Sequence, residues 1–399
     1  MTRSWSARTF RLMVWIVCVA GITQGLLIPL LTMLLEEKGI DAGSNGLSAS
    51  ALYIGILIAS PLGPVVVRRF GIKKAILLGL SIVTLATGFF PVFSGFWIWT
   101  GLRMIVGIGD SFLHYATQLW ITMNAPGQER GRRISQYGFA YGLGFGIGPL
   151  GLNLLAFSQA APFLTALAIL GISFYLAIRL KLAASPVETL KERETGKGHI
   201  QLGTVYRFGF IAFCSPLVYG LLETALTGNF PVVGLREGID KSWISLLISA
   251  FVWGSLLFQV PLGVIGDRIG RKNLLLIVCS AGAAGMFLIP LILPNVLYLF
   301  IAFMLLGGLV GSLFSLGLAF AADLLPTRFL PVANVIASVH FSIGSIIGPY
   351  TGGLLIEKAG GKALFALIGC VLAGYVCIMI LEKILNRSNR VRQTDRQAV

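Results

Sequence analysis

The sequence predicts an all-α integral membrane protein in which twelve transmembrane helices form two six-helix bundles of related design. Composition comes first: 56% of the 399 residues are apolar and only 12% are charged, with a mean hydropathy of +0.86, far outside soluble-domain usage. Second, charge-free runs such as Leu12 to Leu35, Ala75 to Leu102 and Asn273 to Leu297 recur along the chain, and each is long enough to cross a bilayer. Third, landmarks of the first half return in the same order in the second.

The elements follow from the breaks. The first helix is expected over 10–35, with the basic residues Arg3, Arg8 and Arg11 before its apolar run; that run is too long for a signal peptide and lacks a small-residue cleavage site, so it is read as retained. The second (46–67) ends at Arg68-Arg69, and the third (75–92) runs from Lys73-Lys74 to the turn around Pro91. The fourth (96–122) is interrupted by Arg103, Asp110 and His114, and the fifth (134–157) opens after Arg130, Arg132 and Arg133. The sixth (160–182) leads into a polar segment with Glu188, Lys191, Glu192, Arg193, Glu194, Lys197 and His199. Helices seven to twelve are expected over 206–234, 242–265, 273–293, 295–322, 332–356 and 361–383, divided by charged, Gly or Pro breaks. The domain reading is an N-terminal bundle over 1–182, a linker over 183–205, a C-terminal bundle over 206–384 and a basic tail over 385–399.

Most of the 31 Lys and Arg fall on the side that carries both termini, which the positive-inside rule assigns to the cytoplasm. The net charge of +15 is thus a topology signal; a nucleic-acid surface would cluster its basic residues with aromatics on a soluble face. Cysteines 18, 214, 279, 370 and 377 all lie in expected helices and read as apolar filler, with neither a disulfide nor a metal site indicated. No nucleotide-binding loop, ligand cluster or nucleophile-base set appears, so an enzyme is not expected, nor is any cofactor or metal. A sensor would want a large partner-binding loop, and the loops are short.

The repeat pairs Gly71 with Gly270, Gly107 and Gly109 with Gly307 and Gly308, and Pro149 with Pro349. Gly263-Val-Ile-Gly-Asp267-Arg268-Ile-Gly270-Arg271-Lys follows the eighth helix, and its degenerate copy carries Arg68 where Asp267 stands. Its glycines allow a tight turn, and Asp267 can face a helix N-terminus or a basic group, so both loops are read as conformational latches of unequal strength. Gly144-Phe-Gly-Ile-Gly148-Pro149 in the fifth helix and Gly344-Ser-Ile-Ile-Gly348-Pro349 in the eleventh read as helix-packing motifs.

These residues, with Arg103-Met-Ile-Val-Gly-Ile-Gly109, resemble the signature motifs of the major facilitator superfamily. The resemblance covers the whole chain, implies alternating access between two halves, and through the fifth-helix Gly-Pro motif looks most like the drug:proton antiporter branch. It also implies that helices one, four, seven and ten line a central cavity.

Ionisable residues inside a membrane are costly and call for a function. Arg103, Gly107, Asp110, His114 and Gln118 recur at helical spacing along one stripe of the fourth helix, and Glu223 lies midway along the seventh. Burial disfavours a charged carboxyl and a neighbouring cation favours it, so a carboxyl in a gated cavity changes proton affinity as the gates move. Asp110 and Glu223 are the expected proton carriers, with Arg103 either the positive partner of Asp110 or half of a static ion pair. His114 is a relay candidate or a satisfied hydrogen-bonding residue. Trp15, Gln24, Tyr115, Gln118, Tyr141, Tyr219 and Phe314 are candidate substrate contacts and would suit an amphipathic compound. The expectation is proton-coupled efflux by a monomer in a bacterial inner membrane, binding a small molecule, protons and lipid but no nucleic acid. The alternative is a symporter or facilitator for nutrient uptake, or a lipid translocator.

Overall fold

The computed structural model describes residues 6–126, 129–180, 202–293, 295–326 and 329–397. Twelve helical spans occur among the described residues, with no strand. They are α1 (Ala7–Glu37), α2 (Ala42–Phe70), α3 (Ile72–Phe89), α4 (Phe96–Asn124), α5 (Arg130–Ala156), α6 (Ala161–Ile178), α7 (Leu202–Arg236), α8 (Lys241–Ile269), α9 (Arg271–Ile292), α10 (Val296–Leu324), α11 (Leu330–Ala359) and α12 (Lys362–Gln397). Among the described residues, eleven are long and apolar enough to cross a membrane by composition. The other is α4, equally long, whose Arg103 and Asp110 lower its hydropathy. The linker expected over 183–205 lies largely outside the described residues. Helix α12 continues to Gln397 through the segment expected as a basic tail, where no Gly or Pro interrupts 385–397.

Local chemistry sets the ends. Ser6 accepts from the Thr9 amide to open α1, Asp41 Oδ1 accepts from the Ser44 amide at 2.8 Å to open α2, and Asn295 Oδ1 caps α10. Gly71 and Gly270, with φ of 82° and 88°, turn the chain between α2 and α3 and between α8 and α9 in a region L side chains avoid. Helix α10 breaks at Gly311-Ser312, and Ser215 Oγ of α7 donates to Leu313 O at 2.7 Å, serving a backbone group at the break that lipid could not.

The two Gly-x-x-x-Gly-Pro motifs do the same work in each half. A Cβ on Gly144 or Gly148 would lie 2.1 or 2.5 Å from backbone oxygens of Cys18 and Ile22 on α1. On Gly344 and Gly348 it would lie 2.1 and 2.3 Å from those of Leu217 and Leu221 on α7. Backbone-to-backbone approach therefore joins α5 to α1 and α11 to α7, the small-residue packing that replaces hydrophobic driving force in a bilayer.

Contacts between the halves lie from mid-membrane to the face remote from the termini. Ser50 Oγ of α2 donates to Ile346 O of α11 at 2.6 Å, and Asn153 Nδ2 of α5 reaches Ser245 Oγ of α8 at 3.4 Å. At the remote face, Arg236 of α7 pairs with Glu36 of α1 at 2.7 Å and with Glu357 of α11 at 3.2 Å, the Ala42 amide of α2 donates to Glu357, and Lys241 pairs with Glu37. Residues 23–35 of α1 and 224–234 of α7 are continuously buried, whereas their first turns are not. The molecule is closed at the remote face and parts towards the terminal face.

Candidate functional site

Asp110 is 1% exposed, two turns below Arg103 on α4. Gln24 of α1, also buried, donates through Nε2 to Asp110 Oδ2 at 2.7 Å and accepts from the Tyr141 hydroxyl of α5 at 2.7 Å. One chain, Tyr141 to Gln24 to Asp110, thus ties three helices of the N-terminal half. Asp110 Oδ1 makes no hydrogen bond to protein.

On the opposite half, Tyr219 donates to Glu223 Oε1 at 2.8 Å, one turn apart on α7. Its ring stacks on Phe341 of α11 at 6.0 Å, and Phe314 of α10 meets Phe341 edge-on at 5.6 Å. The hydroxyls of Tyr53, on α2, and Tyr141 lie within electrostatic reach of both Asp110 and Glu223. The two carboxyls therefore share one tyrosine-lined seam between the halves, and no basic side chain pairs with either among the described residues. Each has one neutral donor and no cation to hold it charged.

Arg103 does not take the expected part. Its guanidinium donates to Ser48 Oγ at 3.2 Å, Ile28 O at 3.3 Å and Thr32 Oγ1 at 3.3 Å, all on α1 and α2. Seven residues of helix separate it from Asp110 by about 10 Å, so neither a reporting partner nor a static ion pair forms. The stripe still faces protein through Arg103, Gly107, Asp110 and half-buried His114, and reaches an exposed Gln118.

His114 Nδ1 lies 2.9 Å from the Tyr137 hydroxyl, which also meets Thr117 Oγ1 at 3.1 Å. The imidazole sits edge-on to Tyr141 at 4.9 Å, so it joins the Asp110 chain through a ring face and not a direct hydrogen bond. Tyr115 lies against Gly63 of α2, its position rotated about 100° from His114 on the helix. Trp15 is 40% exposed on the first turns of α1. Tyr53, Tyr137 and Phe341 were not singled out in the sequence. The repeat held a signal for Tyr53, since it sets Tyr53 against Trp253, aromatic against aromatic on α2 and α8.

The latch loops also have their contacts. Arg271, the first residue of α9, bridges Asp267 at 3.0 Å and Asp323 of α10 at 2.5 Å and donates to Ala319 O at 2.8 Å; Lys272 pairs with Glu382 of α12. Asp267 thus takes the basic-group option, and the network ties α8, α9, α10 and α12 within one half. In the other half Arg68 and Arg69 end α2, and Lys73 donates to Ile178 O of α6 at 2.7 Å.

Two six-helix halves, each with a Gly-Pro helix packed backbone to backbone on its first helix, with Asp110 and Glu223 facing their seam, match a known family. The model of the Major Facilitator Superfamily matches residues 13–210 and again 208–398. The chain belongs to the Major Facilitator Superfamily. It is 37% identical over 379 residues to the uncharacterized MFS-type transporter YfkF of Bacillus subtilis strain 168, covering 94% of this chain and 95% of that one. It is 22% identical over 378 residues to the uncharacterized MFS-type transporter YcaD of Escherichia fergusonii, with 91% and 92% covered. Among solved structures, a D-xylose-proton symporter matches with a TM-score of 0.74 at 15% identity, over 93% of this chain and 96% of that one. The nucleoside transporter NupG matches at 0.76 and 13%, over 94% and 98%. This superfamily member is accordingly a multi-pass secondary transporter of small molecules and not an enzyme.

Proposed function

We propose that the protein couples proton movement to export of an amphipathic compound, with Asp110 and Glu223 carrying the protons. The observation that supports this reading is the seam itself: two carboxyls from opposite halves share one aromatic site, and each is held only by a neutral donor. Proton binding at either needs no ion pair to be broken, and an amphipathic molecule finds Tyr53, Tyr141, Tyr219 and Phe341 around it. Opening one face or the other changes the hydration of both carboxyls, and with it their proton affinity.

Direction rests on the fifth-helix Gly-Pro motif, and orientation on the positive-inside bias. With both termini cytoplasmic, the closed remote face is external and the conformation is inward-facing, ready to load from the cytoplasm. A monomer in a bacterial inner membrane, with halves over 1–182 and 206–384, completes the reading.

The test is proton movement in proteoliposomes holding a pH dye, challenged with cationic, neutral and anionic amphipathic compounds. Wild type should give compound-triggered flux, and Glu223→Gln and Asp110→Asn should each lose it. Flux that survives in both variants refutes the assignment, and flux only in the uptake direction makes the protein an importer.

A further inference from the structure

We infer that an anionic phospholipid of the leaflet at the terminal face binds in a cavity between α7 and α11, its acyl chain inside and its phosphate at Arg207. Nearer the remote face the two helices meet backbone to backbone, where a Cβ on Gly344 would lie 2.1 Å from Leu217 O and one on Gly220 2.3 Å from Phe341 O. Towards the terminal face three rings hold them apart. Tyr206 lies 5.6 Å from His340 and 6.3 Å from Phe213, and Phe213 lies 6.1 Å from His340. Beside this wedge is a cavity of about 500 Å³ lined by Gly203, Tyr206, Val335, Ile336, Val339 and His340, within the range of ligand pockets, about 300–1,000 Å³.

The lining selects hydrocarbon, since it holds no Asp, Glu, Lys or Arg. His340 Nδ1 lies 2.9 Å from Ile336 O, which can only accept, so Nδ1 carries the proton and Nε2 takes the Tyr206 hydroxyl at 3.2 Å. The two polar lining groups thus spend their donors on each other and on the backbone. Val335 is about 33 Å of helix from Glu357 at the remote face, which puts the cavity where acyl chains meet their headgroups. With Val335 63% and Val339 40% exposed, its mouth is open. Arg207, also exposed, stands one turn from Gly203 on the same face of α7 and pairs with no carboxylate among the described residues. A cation at the headgroup level favours an anionic lipid by about fivefold. The inference concerns neither carboxyl, so it stands or falls apart from proton coupling.

The experiment uses full-length protein in phosphatidylcholine vesicles doped with phosphatidylglycerol or phosphatidylcholine bearing a diazirine in the acyl chain. After irradiation, adducts are mapped by mass spectrometry. Ile277 of α9, 57% exposed and outside the cavity, reports labelling by bulk lipid. In wild type, residues 203–210 and 335–340 should react about fivefold more with the phosphatidylglycerol probe, while Ile277 reacts equally with both. Arg207→Gln should make the two probes equal at the cavity, and Val339→Trp, which fills it, should lose the adducts there and keep those at Ile277. Equal labelling by the two probes in wild type, labelling no higher than at Ile277 because residues 181–201 of this chain cover the cavity, or undiminished adducts in Val339→Trp would each overturn the inference.

Discussion

Removing Arg236 should loosen the remote face by about tenfold. Its guanidinium spans the seam, Nε to Glu36 at 2.7 Å and a terminal nitrogen to Glu357 at 3.2 Å. The side chains are 37% exposed for Arg236, 14% for Glu36 and 45% for Glu357. Exposed pairs are worth about 0.2–1 kcal/mol, which puts Arg236–Glu357 near the low end and the more buried Arg236–Glu36 near the top. Glu36 Oε2 already lacks a partner, so losing Arg236 strands a half-buried carboxylate. Together these give about 1–2 kcal/mol, and about 1.4 kcal/mol is a factor of ten in the closed-to-open ratio. Spin labels at Lys38 and Glu237, with the five cysteines replaced, would report the separation of α1 and α7 by pulsed electron resonance. Arg236→Ala should shift population from the short to the long distance by that factor, and 1 M salt, where the Debye length is about 3 Å, should move wild type the same way. Unchanged distance distributions in both would refute the clamp.

The close approaches separate two kinds of glycine. A Cβ on Gly46 would meet Pro349 O of the other half at 2.1 Å, whereas one on Gly107 would meet Leu52 O of its own half at 1.9 Å. Gly46→Ala should therefore leave the folded yield intact and hold the remote face open, while Gly107→Ala should lower the yield; the same spin-label pair and size-exclusion profiles distinguish them. Asp41 is held below the usual carboxylate range by hydrogen bonds from Ser44. With its folded pKa depressed, the cap contributes above the unfolded pKa of about 3.9 and fades as pH falls through the lower folded value. Asp41→Ala should cost about 1 kcal/mol at neutral pH, with the midpoint gap to wild type closing only below pH 4. Ser215→Ala removes the donor at the α10 break and should cost about 1–2 kcal/mol; a midpoint equal to wild type would mean that the break needs no partner.

How much could be read from the residues depended on whether a feature was local. Helix ends at Arg68-Arg69 and at Lys73-Lys74 follow from short-range charge, and the structure keeps them within a few residues. The paired Gly-Pro motifs were legible because small residues at fixed spacing have few uses other than close packing. Side-chain direction across helices was not legible. A stripe on α4 puts Arg103 and Asp110 on one face, yet α1 and α2 offer Arg103 nearer acceptors in Ile28, Thr32 and Ser48, and Gln24 reaches Asp110 instead. Tyr115, one position off that stripe, faces a different neighbour in Gly63. Tyr53 was obscured because no charge or motif marks it on α2, and its place at the seam depends on how the halves meet.

Glu223 bears the central claim most directly, since it is the carboxyl that the C-terminal half brings to the seam. For the compound that elicits proton flux, counterflow exchange and net proton-driven transport should be compared in wild type and Glu223→Gln proteoliposomes. The account predicts exchange retained, because the tyrosine-lined site remains, with net proton-driven transport lost. Net transport at wild-type rate in Glu223→Gln, still dependent on the pH gradient, would contradict it.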